Sequence, residues 1–177
     1  MSRRPIQGGF DAGAVPDDPN DGVRPGDFRD ALSWWASTVT VVAARDEDRV
    51  LGTTVTSFAP VSADPPLVVV SLGPSAQVLP ALKEGSTFAV SLLARDQKGL
   101  AGRYADSFPV GPSPFPADGP PVVEGALVAL VCQVASVHPV EGNARLVTGR
   151  VEEIREGQAE EPLLYWRRSY AGVDASR

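Results

Sequence analysis

The sequence has little of the chemistry on which hydrolases and metalloproteins depend. It contains one histidine, His138, one cysteine, Cys132, and no Gly-x-Ser-x-Gly segment. A zinc site needs several Cys, His or acidic ligands at short spacings, and that spacing is missing here. We therefore predict no metal site and assign no catalytic side chain. His138 precedes Pro139 at a predicted strand end, where we expect a surface or hydrogen-bonding role.

The single cysteine excludes an intrachain disulfide. Cys132 ends the apolar run LVALVC at residues 127–132. Such a run is typical of a buried strand, and a buried free cysteine behaves as a small apolar side chain. We predict a reduced, structural thiol at this position.

Long apolar runs and positive charge are also scarce. Apolar runs such as residues 67–70 and 127–132 fall far short of the roughly 20 residues that a membrane helix needs. Arg3 and Arg4 are not followed by an apolar stretch of signal-peptide length, so we expect a cytoplasmic protein. A net charge of -6 disfavours nucleic acid and anionic membranes as partners. A small-molecule ligand fits this composition better.

What the chain does contain is enough apolar sequence for one domain. Hydrophobic residues make up 43% of its 177 residues and charged residues 21%, which is typical of a globular protein. Residues 1–26 are rich in Gly, Pro and Asp and poor in apolar side chains. We predict a disordered or loosely docked tail over residues 1–26 and one domain over residues 27–172.

Most of the predicted elements are strands. Asp27 is a plausible N-cap for a helix over residues 28–36, whose apolar face carries Phe28, Ala31, Leu32 and Trp35. Two further helices are expected over 77–84 and 96–105. The β-branched runs predict strands at residues 39–43, 50–58, 67–72, 87–93, 126–137 and 144–154. The apolar segment 162–166 should pack near the end of the domain.

The proline-rich segment 106–121 predicts a long loop without regular structure. Loops of this length inside a compact domain tend to border binding sites, although a mobile surface excursion is an equal alternative. Many strands with few short helices favour an antiparallel barrel, and no G-x-G-x-x-G segment supports a Rossmann domain.

Two polar segments are candidates for ligand binding. Small hydroxylic residues crowd the predicted strand GTTVTSF at residues 52–58, where a half-exposed strand is the plain alternative. The second segment, SLGPSAQ at residues 71–77, lies between a strand and a predicted helix, where free backbone N–H groups can hold a phosphate.

These segments and others resemble one known family in their order and spacing. The resemblance covers about residues 28–170 and includes FRDAL at 28–32, TVTVV at 38–42, GTTVTSF at 52–58 and VSADPPLV at 61–68. It continues through LPAL at 79–82, FAVSLL at 88–93, GAL at 125–127, GRV at 149–151 and PLLY at 162–165. The chain is similar to the flavin reductase-like proteins, which are short-chain NAD(P)H:flavin oxidoreductases.

The resemblance implies a mainly β fold, an antiparallel FMN-binding split barrel of Greek-key type with a few short helices. It also implies a homodimer with flavin, FMN or FAD, near the subunit interface. The flavin ring and ribityl chain would be lined by Thr53, Thr54, Val55, Thr56 and Ser57. The phosphate side would be approached by Ser71, Leu72, Gly73, Ser75 and Gln77. Ser91, Arg103 and Tyr104 would complete the pocket, with Arg103 as a phosphate partner by charge.

One departure from the family pattern concerns the electron donor. Asn143 and Ala144 align with the nicotinamide side, and Ala144 stands where many members carry a histidine. Hydride transfer between cofactors depends more on orientation than on a general acid. The expected function is therefore an NADH- or NADPH-dependent flavin reductase that supplies a partner monooxygenase. The alternatives are a flavin-binding enzyme repurposed for biosynthetic tailoring, with weak or no nicotinamide oxidation, and a non-catalytic module.

Overall fold

The described residues form ten strands, and all of their pairings are antiparallel. The computed structural model describes residues 22–106, 108–157 and 161–173. The helices are α1 (Pro25–Leu32) and α2 (Lys98–Ala105), and single 3-10 turns lie at Leu79–Ala81, Arg95–Gln97 and Glu141–Asn143. The strands are β1 (Ser37–Thr38), β2 (Thr40–Asp46), β3 (Arg49–Val55), β4 (Phe58–Ala63), β5 (Pro66–Leu72), β6 (Thr87–Leu92), β7 (Val128–Pro139), β8 (Arg145–Glu156), β9 (Leu164–Trp166) and β10 (Ser169–Ala171).

Seven strands form the main sheet in the order β3-β2-β6-β7-β8-β5-β4. Its two edge strands, β3 and β4, follow one another in sequence but do not pair. Leu51 and Val55 of β3 nevertheless pack on the same core as Phe58 of β4, so the sheet curls around one interior. The curled, unclosed sheet confirms the antiparallel split barrel that the resemblance predicted.

Strand β2 lies between two cores because both of its faces are covered. Val42 and Ala44 belong to the barrel interior, with Phe88, Val90 and Val147 among their neighbours. The intervening Val41 and Ala43 pack on a second cluster beneath α2, whose members include Ala101, Tyr104, Phe115, Val123 and Leu163. Cys132 is buried in the first cluster, as predicted from its apolar surroundings.

The N-terminal helix differs from its prediction in position and environment. It begins at Pro25, a residue suited to the first helical turn, and ends at Leu32 rather than at residue 36. Asp27 lies inside the first turn and forms an ion pair with Arg24, so it is not the N-cap. The apolar face of this helix is exposed, since no residue of α1 is buried. Residues 1–21 of the predicted tail lie outside the described residues.

Two other boundaries were predicted wrongly. The helix expected over residues 77–84 is only the 3-10 turn Leu79–Ala81, because the chain leaves the helical region at Leu82 (ψ 81°). The strand expected over 50–58 stops at Val55, and the next strand begins at Phe58 on the opposite edge of the sheet. The segment 162–166 packs as expected at Leu163, which is buried, and its last three residues also form β9, which pairs with β1 and β10 in a small second sheet.

Candidate functional site

A cavity of about 220 Å³ lies beside the edge strand β3, and we call it the β3 cavity. An edge strand leaves half of its backbone N–H and C=O groups outside the ladder, where a ligand can bind them. The cavity is lined by Thr53, Thr54, Val55, Leu72, Gly73, Ser75, Ala76, Gln77, Tyr104, Ala105 and Asp106. Strand β3, the segment after β5 and the end of α2 therefore meet at the split in the barrel.

Eight of the predicted cofactor-binding residues come together in this cavity. They are Thr53, Thr54, Val55, Leu72, Gly73, Ser75, Gln77 and Tyr104. Three residues that line it were missed: Ala76, Ala105 and Asp106. Ala105 and Asp106 directly follow Tyr104, so their position next to a predicted site residue was the signal that could have identified them. Their roles in binding remain predictions.

Thr56 and Ser57 line a different cleft, which we call the α1 cleft. Its volume is about 540 Å³, and its walls are Arg29, Leu32, Ser33, Trp35, Ser37, Thr56, Ser57, Tyr165 and Arg168. The predicted segment from Thr53 to Ser57 thus divides between two adjoining spaces because the chain turns after Val55. Arg168 forms an ion pair with Asp30, which ties the wall to α1.

Two hydroxyl groups of the predicted segment are used by the fold itself. Thr54 Oγ1 donates to the carbonyl of Ala101 at 2.9 Å, which fixes α2 on β3. Ser57 Oγ donates to the carbonyl of Ser71 at 2.6 Å, which joins the turn after β3 to β5. Ser71 contributes this acceptor and is not among the residues that line the β3 cavity. By contrast, the described residues offer the Thr53 hydroxyl no hydrogen-bonding partner.

Tyr104 forms an aromatic wall of the β3 cavity. It is almost fully buried, and its ring packs edge-to-face on Phe115 with centroids 5.4 Å apart. Burial raises the pKa of the Tyr104 phenol above its ordinary value, and the Arg103 guanidinium offsets part of this effect. The phenol therefore stays neutral at physiological pH.

Arg103 points away from the place where a phosphate partner was expected. Its guanidinium lies 5.1 Å from the Tyr104 ring centroid and against Gly111 of the proline-rich loop. Its Nε is buried and has no hydrogen-bond partner among the residues that the structure describes. Arg103 is not one of the residues that line the β3 cavity, so this cavity is lined by neutral donors and one acidic side chain.

Ser91 is also outside the cavity. Its side chain is fully buried, and its Oγ accepts a hydrogen bond from the backbone N–H of Val123 at 3.0 Å. The hydroxyl thus fixes the end of the proline-rich loop. We do not include Ser91 among the residues proposed to contact flavin.

Asn143 and Ala144 lie in the turn between β7 and β8 and line neither cavity. Asn143 has a positive φ of 61°, and the carbonyl of Ala144 accepts hydrogen bonds from Val140 N and Arg145 Nη1. Arg145 pairs with Leu72 across β8 and β5. This turn therefore lies at the same end of the sheet as Gly73, so the predicted nicotinamide side adjoins the β3 cavity.

Neither a metal-binding cluster nor a membrane-spanning helix is found among the described residues. No group of three His, Cys, Asp or Glu side chains is placed to hold a metal ion in the described part of the chain. Among the same residues, no helix has the length and apolar character needed to cross a membrane.

A split barrel with a polar cavity at its open edge offers a site for a small molecule. Residues 32–174 match the family model described as "Flavin reductase like domain". The chain therefore belongs to the flavin reductase-like family.

Relatives of known function are similar over most of their length. The chain is 37% identical to the reductase component of 4-hydroxyphenylacetate 3-monooxygenase from Thermus thermophilus, over 81% of this chain and 93% of that one. It is 36% identical to an NADH-dependent flavin reductase from Rhodococcus, over 86% of this chain and 88% of that one. The solved styrene monooxygenase flavin reductase from Pseudomonas putida superposes with a TM-score of 0.76 at 32% identity, covering 85% and 99%.

A further relative carries a different name. The chain is 33% identical to the actinorhodin polyketide dimerase of Streptomyces coelicolor, over 84% of this chain and 86% of that one. Members this similar to the chain thus differ in the reactions for which they are named.

Proposed function

We propose that this protein is an NADH-dependent flavin reductase that supplies reduced flavin to a monooxygenase component. The observation that carries the proposal is the β3 cavity, where eight residues expected from the flavin reductase pattern meet on an exposed strand edge. Its relatives from Thermus and Rhodococcus are named as reductases of this kind. We place the protein in the cytoplasm because its electron donor is a cytoplasmic coenzyme.

The residues present fit a flavin. A flavin ring system has a polar pyrimidine edge, and edge-strand backbone groups with the Thr53 hydroxyl offer donors and acceptors to such an edge. Ser75 and Gln77 offer further neutral donors for a ribityl chain or phosphate. When bound, flavin supplies a two-electron acceptor for the hydride of a reduced nicotinamide. The protein's own part is to bind and orient the two reactants, because the hydride passes directly between them.

Turnover of flavin and nicotinamide together tests this function. Purified protein is mixed with FMN or FAD and with NADH or NADPH, and the nicotinamide absorbance is followed under air. We expect flavin-dependent oxidation of NADH, with one NADH consumed for each flavin reduced. A protein that binds flavin but does not oxidise either nicotinamide would contradict the reductase assignment.

The second candidate is a flavin-binding enzyme of a biosynthetic pathway with little nicotinamide oxidation. It is favoured by the similarity to a polyketide dimerase and by Ala144, which replaces a histidine that many family members carry. Tight flavin binding without NADH turnover is the outcome that supports this candidate over the first.

We also propose that the protein is a homodimer that pairs through α1, the turn that follows α1 and the end of β9. This surface carries large exposed apolar side chains: Phe28 (55% exposed), Trp34 (63%), Trp35 (72%), Leu32 and Trp166. Leu32 and Trp35 also line the α1 cleft, so a second copy seated here would cover the space beside Thr56 and Ser57. Such a contiguous apolar patch is typical of a protein interface.

Sedimentation measures this directly. We expect a dimer at micromolar concentration and a shift to monomer in Trp35→Asp, because a charge at the centre of the interface would be desolvated. The matched control is Ile154→Asp, at an exposed position on β8 outside the patch, which should remain dimeric. A wild-type monomer that still binds flavin would reject the proposed pairing.

A further inference from the structure

The proline-rich loop between α2 and β7 is pinned to the barrel although residues 108–125 contain no helix or strand. Arg45 of β2 donates from Nε to the carbonyl of Gly119 and from Nη2 to the carbonyl of Pro116, both at 2.8 Å. A guanidinium that holds two carbonyls of one segment fixes both its position and its orientation. The middle of the loop therefore has a defined place above β2.

The end of the loop is fixed as firmly. Gln97 Nε2 donates to the carbonyl of Glu124 at 2.8 Å, and Glu124 N donates to the carbonyl of Pro114 at 3.0 Å. The Val123 N–H is bound by the buried Ser91 hydroxyl. The bond between Glu124 and Pro114 closes the loop on itself immediately before Phe115, and the bond from Arg45 to Pro116 ties the loop to β2 immediately after it.

Phe115 is the side chain that this loop inserts into the protein. It is only 7% exposed, and its ring contacts Tyr104 edge-to-face with an interplanar angle of 71°. Behind both rings lies Gly52 of β3. A Cβ at Gly52 would stand 3.0 Å from Tyr104 Cδ1 and 3.2 Å from Phe115 Cζ, so the rings rest directly on bare strand backbone.

Tyr104 is thus clamped between the loop and β3 while it lines the β3 cavity. We propose that Phe115 is a positioning residue for the flavin site, which holds the Tyr104 ring against Gly52 and so sets the aromatic wall of the cavity. This inference rests on the proposed function, because it takes the β3 cavity to be the flavin site. The proline-rich loop then acts on the site indirectly, through Tyr104, since Phe115 does not itself line that cavity.

A double-mutant cycle separates positioning from general stabilisation. The dissociation constant of FMN is measured by flavin fluorescence for the wild type, Phe115→Ala, Tyr104→Ala and the double variant. We expect Phe115→Ala to weaken FMN binding about threefold to tenfold, the size expected for an aromatic pair. In the Tyr104→Ala background the same change should alter binding less than about twofold. Equal effects in both backgrounds would overturn the proposal.

Two further variants keep the test decisive if Phe115→Ala folds poorly. Phe115→Leu retains apolar volume but lacks the ring, and Gly52→Ala displaces the Tyr104 ring from the opposite side. Both should weaken FMN binding only while Tyr104 is present. Phe108→Ala is the matched control, because Phe108 belongs to the same loop but is 84% exposed, and it should leave FMN binding unchanged.

A measurement without flavin distinguishes failure of this inference from failure of the proposed function. The chain has three tyrosines, so ¹⁹F spectra of the fluorotyrosine-labelled protein should resolve Tyr104 from Tyr165 and Tyr170. If the wild type does not bind FMN, the proposed function is wrong. Positioning is then judged by whether Phe115→Leu splits or broadens the Tyr104 resonance alone, and an unchanged line width would reject it.

Discussion

Thr53 and Thr54 are neighbours in β3 with the same side chain, yet their hydroxyl groups have different surroundings in the structure. Thr54 Oγ1 donates to Ala101 in α2, whereas Thr53 lines the β3 cavity without a hydrogen bond to the described residues, and we propose that its hydroxyl binds the ligand. Replacing each by valine removes the hydroxyl with little change of shape or strand propensity. The pair of variants therefore tests whether one hydroxyl acts through the fold and the other through binding.

The magnitudes follow from the contact that each variant loses. An intramolecular hydrogen bond contributes about 0.5–1.5 kcal/mol to stability. Thr54→Val should lower the free energy of unfolding by about that amount, or Tm by about 2–5 °C for a domain of this size. Thr53→Val should leave Tm unchanged and weaken FMN binding by about twofold to tenfold, because it removes one hydrogen bond to the ligand.

Thermal unfolding followed by circular dichroism and FMN titration supply the two readouts for both proteins. Thr54→Val will also weaken FMN binding to the extent that it loosens α2, which carries Tyr104 and Ala105. The reasoning is refuted if Thr53→Val destabilises the protein as much as Thr54→Val does. It is equally refuted if Thr53→Val binds FMN as tightly as the wild type, since the cavity would then not use that hydroxyl.

Three further outcomes are expected. Burial, with a smaller contribution from Glu152, raises the pKa of Cys132 to about 12. Its thiol should therefore react with Ellman's reagent only in denaturant, and rapid reaction of the native protein would contradict this. Asp106→Asn should tighten FMN binding about twofold to fivefold at low salt and leave riboflavin binding unchanged, because it removes a charge that repels the phosphate of FMN. An equal effect on the binding of both ligands would exclude that cause. Ala144→His should lower KM for NADH up to about tenfold with kcat little changed, and an unchanged KM would mean that this turn does not face the nicotinamide.

The raised pKa of Cys132 also makes the stability of the folded protein depend on pH. The native pKa lies above that of an exposed thiol, so the thiol is neutral in both folded and unfolded chains at neutral pH. As the pH rises above about 9, only the unfolded chain gains a thiolate, and stability falls toward the native pKa of about 12. Cys132→Ala should remove this contribution, which is measurable as a difference in alkaline unfolding.

The strands could be predicted from the sequence because each buried run carries its own signal. The β-branched residues of β2, β5, β6, β7 and β8 alternate or run continuously between clear turn residues. The helix expected over residues 77–84 was wrong for a related reason. Val78, Ala81 and Leu82 are buried at helical spacing, but a single 3-10 turn is enough to bury them. Hydrophobic periodicity indicates which residues are buried, but it does not determine the backbone conformation that buries them.

The cavity could be predicted only in part. The residues of β3 and of the segment after β5 were expected because polar side chains interrupt apolar strands there. The direction of Arg103 could not be predicted, since it depends on a loop that folds back over α2. Phe115 gave no signal either, because an aromatic residue between prolines looks the same whether it is exposed like Phe108 or inserted.

The exposed face of α1 shows what amphipathic periodicity leaves undetermined. Phe28, Leu32 and Trp35 follow helical spacing, which established that one face of this segment is apolar. Within the described residues, no side chain of α1 is buried by its own chain. Monomeric proteins rarely leave a large apolar surface in water, so this exposed face is an argument for packing between copies. The α1 cleft beside Thr56 and Ser57 would then be a shared space, and dilution below the dimer dissociation constant should weaken flavin binding along with assembly.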